Sequence, residues 1–151
     1  MIRATVSLPG CSQQRALAAF TDPAVLSRWW GGELSTDLTV GGPYNVRFPQ
    51  LGQVMTGQVT QYEPSSRLAF TWAWSGGDGE PGDDGGPTRT VLVTVAPGQA
   101  ADGTELTVEH GPHTASETDR AARAEHREGW EFFLPRLAAL LAQPEVSQTE
   151  R

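Results

Sequence analysis

A chain of 151 residues is the length of one domain, and folding at that size removes roughly 70% of the unfolded surface from water, enough for a core with a pocket in it. Its 11 basic residues are all Arg and face 18 acidic ones; the formal charge of −7 repels phosphate backbones and anionic lipid, so no nucleic acid is expected as a partner. Cys11 is the only cysteine, "MIRATVSLPG" has no basic leader, and no apolar run approaches the ~20 residues of a bilayer span, so a cytoplasmic chain without disulfide or membrane insertion is expected.

"IRATVSL" at 2 to 8 alternates apolar and polar side chains as a half-buried strand does, and "PG" stops it. Ser12 can cap a short helix carrying Leu17 and Phe20. Asp22, followed by Pro23 in the first helical position, can cap a second, which gathers Leu26, Trp29 and Trp30 before Gly31 and Gly32 end it.

From 33 to 110 the period becomes two: "ELSTDLTV", "YNVRF", "VMTGQVTQY", "RLAFTWAW", "TRTVLVTV" and "TELTVEH" are separated by Gly, Pro or Asp signals. With the first run this predicts seven strands. The gaps between them are too short for helical crossovers, so the sheet is expected to be an antiparallel meander. Between 75 and 87 the chain holds "DGEPGDDGG", longer than an ordinary hairpin loop and without the alternating oxygen ligands of a calcium loop; a solvated loop at a pocket rim is expected.

Ser116 and Asp119 resemble a capping box that opens a helix running to about Ala142, with Trp130, Phe133, Leu134, Leu137, Leu140 and Leu141 as its apolar stripe and Pro135 predicting a bend. The reading is therefore a single domain over 1–142 and a frayed tail over 143–151.

The order of elements is the helix-grip arrangement, an α+β fold in which a seven-stranded curved antiparallel sheet, two short helices after the first strand and a long C-terminal helix across the sheet make one unit. Specific segments agree with a family: "FTDPAVLSRWWGG" at 20–32, "DLTVGGPYNVRF" at 37–48, "GQVTQYEPSSRLAFTWAW" at 57–74, "TRTVLVTVAP" at 88–97, "DGTELTVEH" at 102–110 and "EHREGWEFFLPRL" at 125–137. The chain resembles the activator of heat-shock protein 90 ATPase homologue family, in the START-like and SRPBCC group. That resemblance implies an apolar cavity between sheet and helix that takes a hydrophobic small molecule.

Phe70, Trp72 and Trp74 fall on one side of their strand, with Ala69, Thr71 and Ala73 on the other. Burying one such ring removes about 150–250 Å² from water, an upper value of roughly 4–6 kcal/mol, so each is as well explained by core packing as by a ligand. Company favours the ligand: Trp29, Trp30, Tyr44, Phe48, Met55, Trp130 and Phe133 are expected on the inward faces too. These ten residues are the candidate binding site.

His110, His113 and His126 match no dependable ligand spacing, so surface or capping roles are expected, with neither metal nor other cofactor. Cys11 reads as inert packing.

The first functional expectation is binding or sequestration of an aromatic or polycyclic molecule, with antibiotic self-resistance in a producing bacterium as its specialised form. A polyketide cyclase or dehydratase is the enzymatic alternative; it needs a polar group in the cavity, for which His126, Arg47 and Arg89 are the candidates, although alternation turns both Arg to solvent. Contact with the chaperone as a co-chaperone is the third reading and rests on fold resemblance alone.

Overall fold

The computed structural model describes residues 2–50, 52–76, 89–98, 103–111 and 117–142. The expected tail, the loop at 77–88, His113 and the Ser116 end of the capping box lie outside them, as do the side chains of Trp74 and Asp119.

The elements follow the predicted order: β1 (Ile2–Leu8), α1 (Gln13–Ala18), α2 (Pro23–Trp29), β2 (Glu33–Thr36), β3 (Tyr44–Phe48), β4 (Gln53–Thr56), β5 (Val59–Glu63), β6 (Arg67–Gly76), β7 (Arg89–Pro97), β8 (Thr104–Gly111) and α3 (Glu117–Leu141). Local chemistry sets the helix starts. Ser12 Oγ accepts from Arg15 N at 3.0 Å, and Asp22 Oδ1 accepts from Ala24 N at 3.0 Å with Pro23 next in line. Gly31, at φ 82°, takes the left-handed turn that ends α2 and sends the chain into β2.

The sheet runs β1-β8-β7-β6-β4-β3-β2, with β5 also paired to β6 and every pairing antiparallel. Its eight strands correct the expected seven. "VMTGQVTQY" is not one strand but two, β4 and β5, both lying on β6. The break is at Gly57, where any Cβ would collide with the Thr71 carbonyl oxygen, while Gln58 N donates to Thr71 Oγ1 at 2.9 Å. Only glycine permits that approach of one backbone to another.

α3 lies against β1 and α2 and buries Trp130, Leu134, Leu137 and Leu141, spaced by three and four residues along one face. It continues through Pro135, whose ring is exposed, so the carbonyl deprived of its donor lies on the side where water can satisfy it. Among the described residues no helix is long and apolar enough to cross a membrane.

Candidate functional site

Nine of the ten predicted residues divide into two groups, the side chain of Trp74 lying outside the description. Tyr44, Phe70, Met55 and Trp29 are fully enclosed. Tyr44 stacks on Phe70 with centroids 4.0 Å apart and donates its hydroxyl to Phe20 O at 2.5 Å, and Trp29 Nε1 donates to Ala19 O at 2.9 Å. Burial pushes the Tyr44 phenol far above the ordinary tyrosine range, because no water remains to solvate a phenolate. These side chains tie β3, β6 and α2 to the turn between α1 and α2.

The second group gathers around Trp30, which caps α2. Its ring lies 5.1 Å from Trp29, 5.9 Å from Phe48, 6.1 Å from Trp72 and 5.5 Å from Trp130, so three elements of distant sequence meet on one indole. Trp72 is delivered by the inward face of β6, Trp130 by α3. For Trp74 only the backbone is described; it pairs with Met55 across β4 and β6.

Two histidines complete the cluster, and one corrects the surface role expected of it. His110 is wholly buried, with Ile2 and Val91 as its partners in β1 and β7. Trp130 Nε1 donates to His110 Nδ1 at 3.0 Å, which fixes the neutral imidazole as the tautomer protonated at Nε2. His126, one helical turn before Trp130, stacks over His110 at 4.4 Å and 22° and meets the Trp72 ring edge-on at 5.6 Å. The signal for His110 was present in "TELTVEHG": Leu106, Val108 and His110 alternate onto one face.

Between this cluster and α3 opens a pocket of about 110 Å³, lined by Trp30, Trp72, Glu125, His126, Gly129, Trp130 and Phe133. Four predicted residues are therefore brought to it: Trp30, Trp72, Trp130 and the half-buried Phe133. His126 was expected there only as the polar group of the enzymatic alternative, and Glu125 and Gly129 were not foreseen at all. Gly129 contributes by omission, since a Cβ there would meet nothing within 4 Å. Glu125 is exposed and is the one carboxylate on the lining among the described residues.

A larger depression, about 420 Å³, lies between α1, α2 and the end of α3, where Arg15 Nη1 donates to Leu141 O at 2.7 Å. Among the described residues no aromatic ring lines it, and it is not enclosed between sheet and helix, so its size does not make it the better apolar site. Of the arginines considered for catalysis, Arg47 points to solvent as expected and pairs with Glu33 at 2.8 Å, whereas Arg89 corrects the solvent-facing orientation expected of it: directly opposite Trp72, it shares the inward face of the sheet and is half-buried. Cys11 is buried, and its carbonyl accepts from Thr104 Oγ1 at 2.6 Å. Among the described residues no three His, Cys, Asp or Glu side chains converge as metal ligands.

DynU16, a protein in the dynemicin biosynthetic locus, is 30% identical with a TM-score of 0.72; the match covers 93% of this chain and 46% of that one, so this chain spans about half of DynU16. CalU16 from Micromonospora echinospora is 27% identical over 97% of this chain and 76% of its own, with a TM-score of 0.65. PFC0360w, an HSP90 activator from Plasmodium falciparum, shares the fold at 22% identity and a TM-score of 0.71, covering 95% and 96% of the two chains. No curated protein matches the sequence. The family model described as activator of Hsp90 ATPase homolog 1-like protein matches residues 11–142, and the chain belongs to that family.

Proposed function

We infer that this protein binds a hydrophobic small molecule at the pocket between the sheet and α3, and that Trp30, Trp72, Trp130 and Phe133 make the contact. The observation that carries the reading is the pocket itself: indole and phenyl walls left incompletely packed, in a molecule whose neighbouring aromatics are sealed. Size sharpens the ligand. Sites for drug-sized molecules hold about 300–1,000 Å³, and a cavity of about 150 Å³ takes benzene. At about 110 Å³ the pocket suits a small apolar group, so a polycyclic ligand enters by one end and lays the rest over the mouth. The likeness to a protein of the dynemicin locus supports antibiotic self-protection as the setting.

Titration with hydrophobic aromatic ligands is expected to quench the intrinsic tryptophan fluorescence saturably, and Trp72→Ala is expected to lose that response. Unsaturable quenching, or an unchanged titration in Trp72→Ala, would remove the reading.

One observation favours the enzymatic alternative: His126, the ionisable group such a cyclase or dehydratase would need, lines the pocket. In that case His126→Ala retains binding of an aromatic polyketide and abolishes its turnover, and a wild-type protein that returns the polyketide unchanged decides for binding alone.

A further inference from the structure

We propose that the group this pocket receives is an organic cation, an alkylated ammonium head, which names the ligand class for the apolar site proposed above and rests on that reading. Three indoles and a phenyl ring meet here from α2, β6 and α3, with Trp30 to Trp130 at 5.5 Å and 42°, and Trp72 to Trp130 at 6.3 Å and 53°. Rings inclined in this way present differently directed surfaces to one small volume, as recognition of a quaternary ammonium requires. The volume, about 110 Å³, fits a compact head of that kind.

Charge points the same way. Among the described residues no arginine lines the pocket, Arg89 lying half-buried beside Trp72 as its partner across β6 and β7, and the one carboxylate on that lining, Glu125, stands exposed at the rim where it can face a bound cation. His126 is the other ionisable group of the described lining, and its ring nitrogens supply hydrogen-bonding capacity at the pocket wall. The whole chain, at −7, attracts cations from solution. A neutral apolar ligand would gain from the rings but nothing from the carboxylate or the field.

The test compares choline with 3,3-dimethyl-1-butanol, its uncharged isostere, by following the indole N–H resonances of the full chain. Choline is expected to bind about fivefold or more tightly than the isostere, an advantage of the size cation–π contacts supply. Glu125→Gln is expected to weaken choline and leave the isostere unchanged, and Gly129→Phe, which fills the pocket, is expected to abolish both. Equal or tighter binding of the isostere overturns the cation and leaves the apolar reading standing. Choline shifts that survive Gly129→Phe, or no choline binding at all, overturn it as well. The aromatic-ligand titration reports separately on whether the pocket binds anything apolar.

Discussion

Trp29 and Trp30 are adjacent in sequence and stack at 5.1 Å and 11°, yet they serve different regions of the molecule. Trp29 faces the sealed side, where Tyr44, Phe70 and Phe20 are fully buried and the polar atoms of Tyr44 and Trp29 are spent on backbone carbonyls. Trp30 faces the open side, where Trp72, Trp130, His126 and Phe133 line a pocket. The difference lies in what opposes each ring. Sealed rings meet strands and turns whose register fixes the gap, whereas the open ones meet α3 at Gly129, which offers no side chain to close it.

The largest expected effect separates the two sides by stability. Trp29→Ala leaves a cavity and an unpaired Ala19 carbonyl, and is expected to cost about 3–5 kcal/mol in urea unfolding. Phe133→Ala on the pocket edge, where part of the ring already meets water, is expected to cost roughly half of that. Equal costs would mean that the pocket wall is core and the distinction fails.

Tyr44 tests the sealed side by pH. Its folded pKa is raised, so the protonated phenol's contribution is fully present below the unfolded value near 10 and is lost as pH rises beyond it. Once the unfolded chain ionises and the folded one does not, stability is expected to fall by about 1.4 kcal/mol per pH unit. The chain has no lysine to blur that limb. Tyr44→Phe is expected to flatten it, at a constant cost of about 1 kcal/mol for the lost bond to Phe20 O. A wild-type slope that persists in Tyr44→Phe would show that a group other than Tyr44 carries it.

Much of this was legible in the sequence, for physical reasons that can be named. Period-two alternation turned Phe70 and Trp72 inward, and capping chemistry at Ser12 and Asp22 placed α1 and α2. The break between β4 and β5 was not legible, because Gly57 is required by the carbonyl of Thr71, a neighbour only after folding. His110 was misjudged by residue type when its register with Leu106 and Val108 already assigned it to the interior. The division of nine aromatic and apolar candidates into sealed and open sets was beyond reach. A pocket of about 110 Å³ is the residue left by many side chains packing, and no spacing rule fixes so small a difference.

The smallest expected effect is the most discriminating, because it runs in opposite directions for stability and binding. Gly129 sits inside α3, where glycine costs about 0.5–1 kcal/mol relative to alanine through the freedom it retains when unfolded. An added methyl meets nothing within 4 Å, so Gly129→Ala has no clash to offset the gain and is expected to stabilise the protein by up to about 1 kcal/mol in urea unfolding. The same methyl enters the pocket lined by Trp30, Trp72 and Trp130, and ligand affinity is expected to fall as the volume shrinks. Had the glycine been there for packing, as Gly57 is against Thr71, the substitution would destabilise instead. A variant that is both more stable and weaker in binding therefore identifies Gly129 as a position where helix stability is given up to keep the pocket open.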